Sequence, residues 1–322
     1  MTVNKVSRRT ALARTAVLAG AAAVGKEFIH ASAFAAPQTQ SAGERPFVFC
    51  LNTATIRGQK LGIAKEVELA SQAGYDAIEP WVDGIEEYVK GGGRLADLRK
   101  RISDSGLTVE GAIGFPEWIV NDDARREKGM ERAKREMELV AQIGGKRFAA
   151  PPAGATDLPK LELLPAAERY RRLLEIGKEI GLVPELELWG FSRNLNRLGE
   201  CVAVAMETGH PNACVLADIF HLYKGGSDFH AFHLLGADAV QVLHMNDFPA
   251  DPPRDKIDDS YRIFPGDGSA PLSETLRALH LTGGQKVLSL ELFNRKYWAE
   301  DPLIVAKAGL AKMKTAAQNA LS

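Results

Sequence analysis

Pro184-Glu185-Leu186-Glu187-Leu188-Trp189 alternates acidic and apolar residues one by one. Successive side chains of a β-strand point to opposite faces, so the two glutamates share one face and the leucines the other. Leucines turned toward covering helices leave the glutamates pointing inward. Glu187, nearer the C-terminal end of the strand, is the better placed of the two to bind something; Glu185 sits deeper and needs a buried partner. The next three apolar runs end in the same manner. Val215-Leu216-Ala217-Asp218 closes on an aspartate, Val242 and His244 share an inner face, and Val287-Leu288-Ser289-Leu290-Glu291 sends Val287, Ser289 and Glu291 inward.

Working outward from these runs, short segments rich in Val, Ile, Leu or Phe predict strands near 47–52, 76–80, 108–113, 146–150, 183–188, 213–218, 240–245 and 286–291. Amphipathic patterns between them predict helices near 61–73, 94–105, 122–143, 163–180, 195–208, 227–236 and 271–280, with a last one near 302–318. Strict alternation of strand and helix implies a parallel sheet, and eight units close into an α/β fold of the (β/α)8 TIM-barrel type, a single domain over 46–322. Polar residues at the C-terminal ends of barrel strands read as active-site residues, because the βα loops converge there. Glu187, Asp218, His244 and Glu291 occupy those positions on the last four strands.

Three carboxylates and one imidazole make an oxygen-rich ligand set suited to Mn²⁺ or Mg²⁺, with Co²⁺ as an alternative, and the absence of cysteine from that set argues against a structural zinc. Two coordination positions would remain for substrate oxygens. An ion chelating a ketone oxygen and a neighbouring hydroxyl acidifies the carbon between them and stabilises an enediolate. A single inward glutamate is as readily a structural ion-pair partner as a ligand. His221, three residues after Asp218, reads either as a site residue or as a loop histidine. Trp81, Trp118 and Trp189 lie near strand ends, where they would stack on a sugar ring or pack the barrel mouth. Two long loops, 114–121 and 246–270, fall on the same face.

The composition fits one large domain behind a leader: 322 residues, 45% hydrophobic, 25% charged, formal net charge −1. That charge gives no footprint for nucleic acid. Cys50, Cys201 and Cys214 are too few and scattered for a disulfide framework or a zinc site. Lys5, Arg8 and Arg9 precede the weakly apolar stretch Ala11–Val24 and the small-x-small triplet Ala33-Phe34-Ala35. Residues 1–35 therefore predict a signal peptide, and Ser7-Arg8-Arg9-Thr10-Ala11-Leu12 is similar to a twin-arginine export signal, with Ala11 where a bulky residue is usual. Residues 36–45 read as a linker. No apolar stretch reaches the roughly 20 residues of a stable membrane span, so the expected location is the periplasm.

On Glu187-Leu-Trp, Asp218-Ile-Phe-His221, Leu243-His244-Met-Asn-Asp247, Arg262-Ile-Phe-Pro265-Gly266-Asp267-Gly268 and Glu291-Leu-Phe, the chain resembles the xylose isomerase-like barrel superfamily over about residues 46–318. The resemblance is to its sugar isomerase/epimerase branch, which includes ketose 3-epimerases and inosose dehydratases. It implies that Glu187, Asp218, His244 and Glu291 hold a manganese-type ion, that Glu187 and Glu291 move the proton as an acid/base pair, and that His221 and Arg262 bind substrate oxygens. Asp247, Trp118 and Glu79 complete the expected substrate contacts. Two departures stand out: the loop before Arg262 is longer than in the epimerases, and Arg193 stands where they place a further carboxylate.

The leading expectation is an isomerase or epimerase acting on an unphosphorylated keto-sugar or keto-polyol, with no nucleic-acid partner and a homo-oligomer left open. A lyase using the same enolisation, an inosose-type dehydratase or an enzyme cleaving 3-keto-glycosides, is the alternative. An endonuclease-like phosphoester hydrolase would need more histidines than His221 and His244. A non-catalytic sugar-binding protein would not need carboxylates on both faces of its ligand.

Overall fold

Each short apolar run becomes a strand and all but one of the amphipathic runs become covering helices in the computed structural model, which describes residues 45–322. The leader and nearly all of the linker lie outside the described residues. In chain order the elements are β1 Phe47–Asn52, α1 Ile63–Ala73, β2 Ala77–Glu79, α2 Val82–Lys90, α3 Leu95–Asp104, β3 Thr108–Val109, α4 Asp123–Gln142, β4 Arg147–Ala150 and α5 Leu163–Ile180. They continue with β5 Val183–Glu187, α6 Leu198–Glu207, β6 Val215–Asp218, α7 Ile219–Gly225, β7 Val242–Met245, α8 Leu272–Leu281, β8 Lys286–Leu290, α9 Arg295–Trp298 and α10 Pro302–Leu321. All strand pairs are parallel, in the order β3-β2-β1-β8-β7-β6-β5-β4. The seam between β3 and β4 is bridged by Val109 with Gly145 and by the Ala149 amide donating to the Ala112 carbonyl at 2.9 Å. The sheet is thus a (β/α)8 barrel, as the alternation predicted.

Parity sorts the side chains into two layers. Leu51, Ile78, Phe148, Leu186, Leu243 and Leu288 face the helices in the main apolar core, whereas Cys50, Ala77, Ala149, Leu216, Val242 and Val287 form a smaller cluster inside the barrel. Glu185 lies at that inner level, and its buried partner is Arg147, whose Nε is 3.5 Å from Oε1. Burial pushes the Glu185 carboxyl up to about 7 against the pull of Arg147.

Two expectations are corrected. The third strand stops at Val109 rather than running to 113: Glu110 and Ile113 still donate to Ile78 and Pro80 carbonyls, but Gly111 takes a position where a Cβ would lie 2.6 Å from Glu79 Oε1. The helix expected over 227–236 is a 3-10 turn, Phe229–Leu234, with only Phe232 buried. The first helix after β6 is instead α7, which begins at once because Asp218 is also its N-cap, accepting the His221 amide at 2.8 Å. Among the described residues no helix is long and apolar enough to cross a membrane.

One surface helix carries a pH-dependent cost. Burial raises the Glu66 carboxyl on α1 from 4.5 to about 7, with Arg57 opposing and Asp83 and Glu87 reinforcing the shift. Between those values the folded chain retains a proton that the unfolded chain releases, so stability falls as pH rises through the window and the loss is complete above about 7. Glu66→Gln is expected to be more stable than wild type at pH 8 by on the order of 1–3 kcal/mol, the two converging near pH 5. Denaturant melts at both pH values check this.

Candidate metal and substrate site

The C-terminal ends of β5 to β8 bring Glu187, Asp218, His244 and Glu291 to one floor, although their registers differ. Glu187 pairs with Leu216, Asp218 pairs with His244, and His244 pairs with Ser289, two residues before Glu291. Barrel stagger closes these offsets, because tilted strands carry residues of different register to the same height. One donor atom each of Asp218, His244 and Glu291 lies within 4.8 Å of the others. His244 Nδ1 stands 3.2 Å from Glu291 Oε2, 3.7 Å from Asp218 Oδ2 and 3.9 Å from Glu187 Oε1. Glu187 flanks the triad.

Underneath, Glu79 orients the imidazole. Its Oε2 is 3.1 Å from His244 Nε2 and accepts from Ser289 Oγ at 2.6 Å and Asn52 Nδ2 at 3.0 Å. A carboxylate behind Nε2 turns the lone pair of Nδ1 toward the other carboxylates, the arrangement that metal-binding histidines use. Glu79, expected against substrate, lies a tier below, away from the cavity wall, because the parity that brings it inward leaves it level with Asn52. Asn52 was missed. Its Nδ2 also reaches Glu291 Oε1 at 3.2 Å, and its Oδ1 accepts from Trp81 Nε1 at 3.1 Å.

Arg262 enters from the β7–α8 loop, fully buried. Its Nη1 donates to Asp218 Oδ2 at 2.6 Å and Glu291 Oε2 at 2.9 Å, its Nε and Nη2 to Asp259 Oδ1 at 2.9 and 2.7 Å, and Nη2 lies 3.0 Å from His221 Nε2. The guanidinium sits 4.9 Å from the Phe220 ring and 5.1 Å from that of Phe293. Burial opposes ionisation of Asp218, but the Arg262 guanidinium, with His244, holds its carboxyl far below the usual range. Burial lowers His221, leaving a neutral ring whose Nδ1 has no partner.

The donor set fits a divalent cation. Glu79, Glu187, Asp218 and Glu291 are all buried here, and among the described residues Arg262 is the only guanidinium paired with them. The shortage of positive charge has visible consequences. Burial, with Glu291 and Asp218 nearby, raises Glu187 to about 8, while burial of His244 is overridden by Glu291 and Glu79, which pull its pKa well above 6.5. Glu187 Oε2 and His244 Nδ1 are buried without hydrogen-bond partners, the positions a cation would satisfy.

Above the floor is a cavity of about 440 Å³ lined by Glu187, His221, Arg262 and Glu291 below and by aromatic rings at the sides. Both long loops contribute, through Phe115 and through Asp258, Asp259 and Ser260. Two expected substrate contacts lie elsewhere. Trp118 is fully buried in the helix layer, its Nε1 donating to the Pro151 carbonyl at 2.7 Å and its ring 5.9 Å from Tyr170. Asp247 spends its carboxylate on the amides of Phe248, Gly266, Gly268 and Ala270, at 2.8 to 3.0 Å, and so folds the loop that carries Arg262. Arg193 is exposed and does not line the cavity. The rings of Phe115, Phe191, Phe293 and Trp298 were missed; Phe293 and Phe115 keep the inward parity of Glu291 and Ile113, and that period was the available signal.

Asp247→Ala would leave those four amides without their acceptor. It is expected to cost about 2–4 kcal/mol and to open the loop to protease, since charge-assisted bonds are involved. Melts and mapping of nicks between 249 and 270 check it.

A barrel whose floor gathers carboxylates and an imidazole under an aromatic-walled cavity has the layout of an enzyme barrel able to hold a divalent cation. The chain belongs to the xylose isomerase-like TIM barrel family, whose model matches residues 67–316. It is 27% identical over 265 residues to the inosose isomerase of Bacillus velezensis, covering 80% of this chain and 94% of that one. It is 24% identical over 254 residues to the 3-dehydroshikimate dehydratase of Pseudomonas putida, covering 78% of this chain and 39% of that one. Among solved structures, a zinc-bound IolI protein superposes with a TM-score of 0.78 at 22% identity, over 85% of this chain and 99% of that one.

Proposed function

We propose that the protein is a metal-dependent isomerase or epimerase that moves a proton at the carbon beside a ketone in an unphosphorylated keto-sugar or keto-polyol. The observation that carries this reading is the pair Glu187 and Glu291, two carboxylates from β5 and the end of β8 that flank one imidazole nitrogen under one cavity. Glu187, Asp218, His244 and Glu291 would hold the ion: three carboxylates suit Mn²⁺ or Mg²⁺ over Co²⁺, and the one imidazole favours Mn²⁺ over Mg²⁺. When bound, it would polarise the substrate's ketone and adjacent hydroxyl and so acidify the carbon between them.

The remaining roles fall to the chain itself. One of Glu187 and Glu291 takes the proton and the other returns one to the opposite face. Arg262 and neutral His221 hold substrate oxygens, and Arg262 offsets negative charge as it develops on the enediolate. The aromatic walls exclude water during that interval. Similarity to an inosose isomerase supports the reading. A lyase that loses a β substituent from the same enediolate is the second reading, favoured by similarity to a dehydratase. The basic leader argues for export to the periplasm, where sugars are met without phosphate; N-terminal sequencing of protein from a periplasmic fraction tests that location.

Deuterium incorporation in D₂O, followed by NMR over a panel of free ketoses, inososes and keto-glycosides, tests the chemistry. Label beside the carbonyl with the skeleton intact is the expected result. Loss of the β substituent would establish the lyase, and absence of exchange from the whole panel would sink both.

A further inference from the structure

The inward period of the strands continues past their ends. Trp81, Trp189 and Phe293 each follow an inward carboxylate by two residues, Glu79, Glu187 and Glu291, and Phe115 follows inward Ile113 by two. Together they form a tier above the carboxylate floor, and their rings touch in sequence around the cavity. Centroids are 5.9 Å apart for Phe293 and Trp81, 5.1 Å for Trp81 and Phe115, 5.8 Å for Phe115 and Trp189, and 5.2 Å for Trp189 and Phe191. Phe191 meets His221 at 5.3 Å, and Arg262 completes the circuit between His221 and Phe293.

The girdle presents carbon. Trp81 Nε1 is spent on Asn52 and Trp298 Nε1 on the Ala54 carbonyl at 3.0 Å, while Arg57 lies 4.3 Å over the Trp81 ring and fixes its plane. Phe191, at the mouth, is 43% exposed. A hexose displaces about six waters, on the order of 180 Å³, less than half of this cavity. A free ketose would therefore leave the upper tier filled with water, and the apolar faces of its rings would stay hydrated instead of being covered by the ligand. The rim sets Asp258 and Asp259 beside Arg295, a mixed pattern that offers no site for a phosphate.

We propose that the substrate has two rings: a sugar handled at the floor, joined through a glycosidic bond to a second, neutral ring whose flat apolar face is held in the girdle. This rests on the isomerase or lyase reading for the floor alone; the girdle's preference stands on the aromatic geometry. An aromatic aglycone and the C–H face of a second sugar offer the same chemistry to these rings.

Equilibrium binding to the ion-loaded mature protein tests this, read by tryptophan fluorescence because Trp81, Trp189 and Trp298 line the cavity. The probes are methyl and phenyl β-glycosides of glucose, galactose and xylose, with cellobiose and lactose. For at least one sugar the two-ring compound is expected to bind ten-fold or more tightly than its methyl glycoside. Phe191→Ala, a substitution at the exposed mouth, and Phe115→Leu, which keeps apolar volume, should each narrow that gap by roughly 2- to 10-fold. Preference for phenyl over glucosyl or galactosyl identifies an aromatic second ring, and the reverse identifies a sugar. Equal affinity for one-ring and two-ring probes, or no binding by any, overturns the proposal. Deuterium exchange on the same preparation separates the two readings. Exchange into free ketoses without ring preference removes the two-ring substrate and keeps the enolisation; ring preference without exchange or elimination does the opposite.

Discussion

Glu291→Gln is expected to lower kcat by about 10²- to 10⁴-fold, the range for loss of a positioned acid/base group. The amide matches the carboxylate in shape, so an oxygen remains to accept from Asn52 Nδ2, which lies 3.2 Å from Oε1 in the native protein. What disappears is the anion that faces His244 Nδ1 at 3.2 Å and Arg262 Nη1 at 2.9 Å. The substitution also removes one charge from a floor with an excess of carboxylates, so the ion-free protein should melt no lower than wild type. Turnover on whichever substrate passes the exchange assay, beside thermal melts, reads both effects. Undiminished kcat would remove Glu291 from the proton transfer.

Arg262→Ala acts in the other direction on charge. Asp218, Asp259 and Glu291 lose a shared buried cation, and removing one partner of a buried ion pair typically costs about 3–5 kcal/mol because the other is left uncompensated. A divalent ion at the floor would offset part of that loss, so the destabilisation should be larger in chelator than in millimolar Mn²⁺. KM should rise about 10- to 100-fold, the equivalent of roughly 1.4–2.7 kcal/mol of lost substrate binding. An unchanged KM would show that Arg262 serves the carboxylates alone. A destabilisation equal with and without the ion would argue that nothing cationic replaces it.

The parts of the site that were legible in the sequence share one property: each is set by strand parity and by position at a strand's C-terminal end. Glu187, Asp218, His244 and Glu291 meet both conditions, and the structure brings them together. Arg262 and His221 line the same cavity, where the family resemblance placed them. Trp118 and Asp247 misled because they sit in loops, where neither period constrains direction. Trp118 turns to the Pro151 carbonyl, and Asp247 has four loop amides within reach, bonds that depend on how distant segments fold back. The segment 227–236 shows the apolar spacing of a helix, but over too short a span, and forms the 3-10 turn Phe229–Leu234 instead.

Local chemistry by itself determined the barrel, its eight strands and the inward side chains at the ends of the last four. These follow from periods of 2 and 3.6 residues, which any short window of the chain displays. Only the tertiary structure decided which inward residues meet. Glu187 is in register with Leu216 and Asp218 with His244, yet both carboxylates face one imidazole nitrogen. That convergence depends on the stagger with which the sheet closes on itself, a property of all eight strands together. The same closure carries Trp81, Phe115, Trp189 and Phe293 into one girdle from residues more than 200 positions apart.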